Sequence, residues 1–112
     1  MVDITLLTAP GPAMDPDETR PFHVRSISPT SVAVEGDVDL ASAPALRAAL
    51  DDRAVEVVDL AAVTFIDAVG LGVLLQAHRA RAGGMTLRAP SPCVRRLLQL
   101  AGHDATFPIR GR

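Results

Sequence analysis

The spacing of apolar residues changes abruptly at Asp67. Residues 55–66 before it are rich in apolar and β-branched side chains, which is typical of a buried strand. After Asp67 the apolar positions recur at the spacing of a helix face: Leu71, Leu74, Leu75 and His78. The pattern therefore predicts a strand that passes into a helix with almost no loop.

Asp67 is the predicted N-cap of this helix, because a carboxylate can accept hydrogen bonds from the free N–H groups of a first helical turn. Gly70 and Gly72 are predicted to leave that turn bare on one side, so that a partner or an anion can approach the backbone. A junction of this kind usually lies exposed at the end of a sheet. We therefore expect the functional site here.

Two strands and a helix precede the junction. Apolar residues at positions 22, 24 and 27, and again at 32 and 34, flank Ser28-Pro29-Thr30-Ser31, which predicts a hairpin. Ser42 is the predicted N-cap of the following helix, with Pro44 in its first turn. This helix should end near Asp52.

The second half of the chain continues the alternation of strands and helices. A central strand covered on both faces, in a partly parallel sheet, is predicted from the run Val55, Val57, Val58 and Leu60. Gly83 and Gly84 are predicted to stop the helix that follows Asp67. Met85 and Leu87 alternate with polar residues, as in a half-buried strand.

The last predicted helix ends at Gly102, and its apolar stripe consists of Val94, Leu97, Leu98 and Ala101. Phe107 and Ile109 are expected to pack the end of the chain on the core. The predicted order is β-β-α-β-α-β-α with a short closing segment. The predicted fold class is α/β: a small mixed β-sheet covered by helices, mostly on one side, because strands separated by helices need crossover connections.

The chain has 112 residues, enough for one domain with a single core. Residues 8–21 contain four prolines, one glycine and three acidic residues, a density of breakers that leaves no regular element. We predict a proline-rich tail at residues 1–21, with a short edge strand at residues 4–7, and a domain at residues 22–112.

The net charge of −2 gives no general attraction to nucleic acid or to anionic membranes, and the chain lacks the Trp and Tyr of base-stacking platforms. Residues 1–60 carry eleven acidic and four arginine side chains (net −7), whereas residues 61–112 carry two and seven (net +5). Two interpretations stay open: two solvated faces of opposite sign, or a partner surface with an acidic and a basic half.

Cys93 is the single cysteine, so an intrachain disulfide is excluded and a reducing compartment is indicated. Asp3 stands where a secretory leader has a basic residue, and no stretch reaches the roughly 20 apolar residues of a membrane span. We therefore predict a soluble, cytoplasmic protein without membrane insertion.

The residues of known catalytic and cofactor motifs are not in place. Gly70-Leu71-Gly72 is not followed by the lysine of a P-loop, and metal-ligand spacing is missing among Cys93, His23, His78 and His103. His78 is predicted to be a half-buried core residue. Cys93 is predicted to be a small buried hydrophobe, the alternative being a thiol activated by a helix dipole. We therefore expect no enzyme, metal or cofactor.

Three carboxylates are expected at one edge of the sheet: Asp37 and Asp39 at the end of the hairpin, and Asp67 at the junction. Parallel strands would bring them together as an acidic rim around Val69. The alternative interpretation is that all three are ordinary turn and cap residues.

Five segments in a fixed order resemble the STAS domain of the anti-sigma factor antagonist (anti-anti-sigma) family. They begin with Gly36-Asp37-Val38-Asp39 and include Phe65-Ile66-Asp67-Ala68-Val69-Gly70-Leu71-Gly72. In full they cover residues 36–47, 57–60, 65–75, 91–98 and 102–107, so the resemblance spans roughly residues 22–110.

The resemblance implies a non-enzymatic module that switches partners. Family members bind an anti-sigma factor, which is also a serine kinase with a histidine-kinase-like ATPase fold, and so release a sigma factor. The kinase phosphorylates a serine at the start of the helix that here follows Asp67, and the added charge dissociates the complex. The implied partner-binding residues are Asp39, Ser42, Asp67, Ala68, Val69, Gly70, Leu71 and Gly72; a weak homodimer is left open.

This chain departs from the family pattern at the phosphoacceptor. The family has Ser-Ser-Gly or a close variant after the aspartate, whereas this chain has Ala68-Val69-Gly70, without a hydroxyl. Thr64, the nearest hydroxyl, lies on the strand side of the junction. We expect an antagonist that is not switched off at Val69; the alternative is a STAS-domain subunit of a membrane transport or signalling complex.

Overall fold

The computed structural model describes residues 21–111. The strands are β1 (His23–Ser28), β2 (Ser31–Val38), β3 (Val57–Ile66), β4 (Thr86–Arg88) and β5 (Ile109–Arg110). The helices are α1 (Ala43–Leu50), α2 (Ala68–Arg79) and α3 (Pro92–Leu100). Residues 1–20 of the predicted tail, including the predicted edge strand at residues 4–7, lie outside the described residues.

The strands form one mixed sheet in the order β1-β2-β3-β4-β5. The hairpin of β1 and β2 is antiparallel, and the other three pairings are parallel. This confirms the predicted α/β class and element order, and the closing segment adds β5 at the edge. Each crossover steps to the next strand in the same direction, so right-handed connections place α1, α2 and α3 on one face.

β3 is central in the sheet, as predicted, with β2 on one side and β4 on the other. Towards the end of the strand only one of its two faces is buried: Val63 and Ile66 are buried, whereas Thr64 and Phe65 are exposed. The coverage on both faces that was predicted from Val55, Val57, Val58 and Leu60 does not extend to this half of the strand, because the helices cover a single face.

The register of β2 and β3 shifts twice, between Ala33 and Glu35 and between Gly36 and Asp37. At each shift β3 advances one residue more than β2, which is the geometry of a bulge. The buried residues of this stretch are consequently Leu60, Val63 and Ile66, three apart instead of two. The bulges thus set which side chains of β3 point outward near its end.

One apolar core joins the sheet to the helices. On α3, Val94 and Leu98 are buried and Leu97 is half-buried, whereas Ala101 lies exposed beyond the helix end, so the predicted stripe is confirmed except at its last position. Phe107 is buried and packs with this core. The partly buried Ile109 also packs against it, as predicted.

His78 is half-buried, as predicted, and its Nδ1 accepts a hydrogen bond of 2.9 Å from the backbone N–H of Met85. Its ring lies 4.8 Å, centre to centre, from the ring of Phe107. Cys93 is only half-buried; it packs against the core, and its thiol contacts the Val63 carbonyl at 3.5 Å. Both residues contribute to packing of the fold.

α1 and α2 both end earlier than predicted. α1 stops at Leu50, and α2 stops at Arg79, before Gly83 and Gly84. The guanidinium group of Arg81 takes the carbonyl that a longer α2 would have used, because its Nη1 donates to the Ala77 carbonyl at 2.8 Å.

Arg81 also ties α2 to the segment that leads into β3. Its remaining bonds, of 2.6–3.0 Å, go to the backbone carbonyls of Leu50, Asp52 and Val55. Burial lowers the pKa of Arg81 and the nearby Arg53 lowers it further, while Asp52 raises it. The guanidinium group thus donates to four backbone carbonyls, which belong to the end of α1, to α2 and to the loop before β3.

We predict that Arg81→Ala lowers the free energy of unfolding by about 2–3 kcal/mol, because several partly buried carbonyls lose a charged donor. Urea unfolding followed by circular dichroism measures the change. Arg96→Ala, an exposed arginine of α3, is the control and should stay within about 0.5 kcal/mol of the parent. Equal losses in both variants would contradict the assignment.

Candidate functional site

The segments that follow β2 and β3 leave the sheet at the same edge. Val38 and Ile66 are the last paired residues of these parallel strands, and the backbone N–H of Asp67 donates to the Val38 carbonyl at 3.1 Å. Asp39 and Asp67 therefore start two neighbouring turns. We call residues 37–42 and 64–72 the β2–β3 edge.

Asp67 caps α2, as predicted. Its backbone is extended (φ −115°, ψ −177°), and its carboxylate accepts a hydrogen bond of 2.9 Å from the N–H of Gly70. The carboxylate thereby satisfies one of the free donors of the first turn. This bond fixes where the helix starts relative to the end of β3.

Ser42 stands at the predicted N-cap position of α1, but its side chain makes no capping bond to the helix; the capping exchange begins three residues earlier, at Asp39. Asp39 accepts from the N–H of Ser42 at 3.1 Å, and the hydroxyl of Ser42 accepts from the N–H of Asp39 at 2.9 Å. The same hydroxyl donates to the Asp37 carbonyl at 2.9 Å. This exchange resembles a capping box, in which two side chains satisfy each other's backbone donors. Ser42 itself has helical dihedral angles and is 8% exposed.

Gly70 does not provide the predicted bare approach to the backbone. It is buried, and a Cβ atom there would lie 2.6 Å from Cγ1 and 2.8 Å from the carbonyl oxygen of Val38. The first turn of α2 therefore packs on the end of β2 at a distance that only glycine permits. At Gly72 a Cβ atom would meet nothing within 4 Å, so the predicted open approach holds at this position alone.

Asp37 and Thr64 form a contact across the strands. The hydroxyl of Thr64 donates to the Asp37 carboxylate at 2.7 Å. The three expected carboxylates do lie at one edge, but Asp37, Asp39 and Asp67 each have a local hydrogen-bonding role. The turn-and-cap interpretation is thus supported for Asp39 and Asp67, whereas Asp37 lies within β2 and accepts a bond from the neighbouring strand; the edge as a whole is acidic.

The exposed side chains of the edge are apolar except for that of Thr64. Val69 is 41% exposed at the start of α2, and Ala68 beside it is also exposed. Sequence analysis missed two further side chains here: Phe65, 48% exposed, and Leu40, 71% exposed. A signal existed for Phe65, since it stands next to the buried Ile66 in a strand and must face the opposite way.

The predicted partner-binding residues fall into two groups. Ser42, Gly70 and Leu71 are buried, so they hold the shape of the edge. Asp39, Asp67 and Gly72 are half-buried, and Ala68 and Val69 are exposed. Exposed apolar side chains, half-buried carboxylates and hydrogen-bonded turns at one edge make an arrangement suited to binding a protein surface.

Within residues 21–111, no three His, Cys, Asp or Glu side chains are grouped as metal ligands. No helix of this described range is long and apolar enough to cross a membrane.

The family model for the Mlab-type STAS domain matches residues 24–110, which is most of the chain. The chain belongs to the STAS domain family. A comparison with curated proteins finds no match.

Solved structures similar to this STAS domain include an anti-sigma factor antagonist from Mycobacterium paratuberculosis. It is 32% identical, with 88% of this chain and 90% of that chain covered and a TM-score of 0.68. The antagonist SpoIIAA in its unphosphorylated form is 24% identical (80% and 87% covered, TM-score 0.59). Phosphorylated SpoIIAA from Bacillus is 22% identical (80% and 90% covered, TM-score 0.57). The two SpoIIAA structures support the fold.

Gly70→Ala should lower the free energy of unfolding of the STAS domain by about 1–3 kcal/mol, because the added methyl group overlaps the Val38 backbone. Gly72→Ala is the matched control on the same helix, and it should raise stability by up to about 1 kcal/mol through helix propensity. Chemical unfolding measures both. The same sign of change in both variants would disprove the close packing at Gly70.

Asp67→Ala should cost about 1 kcal/mol of stability through loss of the cap, whereas Asp67→Asn should retain most of it, because an amide oxygen also accepts from the N–H of Gly70. Thermal unfolding at constant pH distinguishes the two variants. If both lose the same amount, the charge of Asp67 matters more than its capping bond.

Proposed function

We propose that this STAS domain is an anti-sigma factor antagonist. It binds an anti-sigma factor of the kinase type through the β2–β3 edge and so releases a sigma factor. The main support is the similarity to the antagonist from Mycobacterium paratuberculosis, which is 32% identical over 88% of this chain. The kinase-type partner follows from the resemblance of the motifs to the antagonist family.

The partner contacts the exposed apolar residues of the edge. Leu40, Phe65 and Val69 supply apolar surface that is exposed to solvent in the free domain. The capping bonds at Asp39 and Asp67 hold both turns in place before binding, which reduces the entropy lost on association.

The proposed antagonist lacks a phosphorylation switch at the start of α2. Ala68 and Val69 have no hydroxyl, and the hydroxyls of the edge are those of Ser42 and Thr64. Ser42 is 8% exposed and fully engaged with residues 37–39, and Thr64 donates to a carboxylate that would repel an incoming phosphate. Neither is suited to replace the missing serine.

Val69→Arg should weaken binding to the kinase-type anti-sigma factor about 30-fold or more, because a charge replaces an apolar contact at the centre of the interface. Pull-down and calorimetry against the kinase-type anti-sigma factors of the source organism measure the loss. Leu100→Arg is the matched control: Leu100 is 72% exposed on α3 and should not affect binding. Binding of the parent domain to none of these factors would refute the proposed function.

Val69→Ser tests whether only the phosphoacceptor has been lost. With the bound kinase and ATP, we expect phosphate on the new serine, detected by mass spectrometry, and dissociation of the complex. The parent domain under the same conditions is the control and should stay unmodified. A complex that binds the variant without phosphorylating it would show that the implied acceptor position is wrong.

The second candidate is a STAS-domain subunit of a membrane transport or signalling complex. The matching family model is described as the Mlab STAS domain and does not specify an antagonist, so a STAS domain with another partner is the alternative. Co-purification with an ATPase subunit, together with no binding to any anti-sigma factor, would decide for this candidate.

A further inference from the structure

A second concave surface lies at the opposite end of the sheet from the β2–β3 edge. It is a groove of about 730 Å³ beneath the starts of β3, β4 and β5. The turn at residues 80–84 forms one wall, and Arg53, Glu56, Thr86 and Arg110 line the others. A volume of this size is in the range of small-molecule sites.

Three arginines line this groove, Arg53, Arg81 and Arg110, against a single acidic residue, Glu56. The ion pairs within residues 21–111 are Arg25–Glu35 and Arg88–Asp59, and neither includes a groove arginine. The lining therefore carries more positive than negative charge, with Glu56 among its residues and Asp52 close enough to Arg81 to raise its pKa.

Arg53 and Arg110 are held in the groove lining by different parts of the fold. A hydrogen bond of 2.9 Å from the Nη1 of Arg53 to the Ala80 carbonyl holds Arg53 at the groove. There its positive charge contributes to lowering the pKa of Arg81. On β5, Arg110 is the register partner of Arg88 on β4, whose Nε lies 3.8 Å from the Asp59 carboxylate.

Gly83 forms part of the groove wall, and the backbone there does not require a glycine. Its φ is not in the left-handed region, and a Cβ atom there would meet nothing within 4 Å. A side chain at this position could be accommodated by the fold.

We propose that this groove binds a small phosphorylated molecule, with the guanidinium groups of Arg53 and Arg110 on its phosphate oxygens and Arg81 as a fixed charge behind them. Arginine suits this role because its planar donors match phosphate oxygens in pairs. Arg81 supplies charge more than hydrogen bonds, since four carbonyls already occupy its donors. The site is separate from the β2–β3 edge and does not depend on the proposed antagonist role.

Calorimetric titration with inorganic pyrophosphate at constant ionic strength tests the site. We expect saturable binding with a Kd below about 1 mM and amide shifts in NMR spectra confined to residues 53–57, 80–86 and 108–111. Arg53→Gln and Arg110→Gln should each weaken binding about tenfold. Arg96→Gln removes the same charge from an exposed position of α3 and should leave the affinity unchanged.

Gly83→Glu is a second test that leaves the arginines intact. The new carboxylate would compete with the ligand in the groove, so binding should again fall about tenfold or more while the unfolding free energy stays near that of the parent. No saturable binding up to about 10 mM, or equal losses in Arg96→Gln, would overturn the proposal. Saturation by a polyglutamate peptide with no effect of pyrophosphate would also overturn it, in favour of an acidic protein segment.

Discussion

The first turn of α2 packs against the end of β2 so closely that a side chain at Gly70 would overlap the Val38 backbone. The N–H of Asp67 bonds to that same Val38 carbonyl, and its carboxylate caps the helix. Strand pairing, helix start and helix packing are therefore fixed by one small set of contacts. Because these contacts leave the start of α2 little freedom, Val69 is presented to solvent in a defined position, which favours the binding of a partner.

The two ends of the sheet differ in chemistry. The β2–β3 edge has carboxylates around exposed apolar residues, while the groove at the other end has arginines around an open volume. Position in the fold, and not position along the chain, separates the positive from the negative charges. Arg53 belongs to the acidic residues 1–60 but lies in the groove, and Asp67 belongs to the basic residues 61–112 but lies at the edge. A protein partner at one end and a phosphorylated ligand at the other could thus bind at the same time.

Several features of the site could be predicted because they are local. Asp67 as a cap needs only a carboxylate three residues before a free N–H, and the spacing of apolar residues identifies both the strand and the helix. Ser42 was correctly placed at the start of α1, but its side chain bonds to Asp39 and not to the helix, because the turn decides these reciprocal bonds. Phe65 could have been identified from its place beside Ile66, but the exposure of both Thr64 and Phe65 follows from the bulges in the pairing of β2 and β3, which strict alternation does not describe.

The sequence by itself determined the order of elements, the mixed sheet and the lack of a hydroxyl at Ala68 and Val69, since these depend on side-chain type and local spacing. The tertiary structure decided what each glycine of the junction does: Gly70 is required by Val38, a residue of another strand, whereas Gly72 is open. It also brought Arg53, Arg81 and Arg110 to one groove from three separate segments. Contacts between residues far apart in the chain follow from how strands pair and helices pack, and the local pattern does not encode that pairing directly.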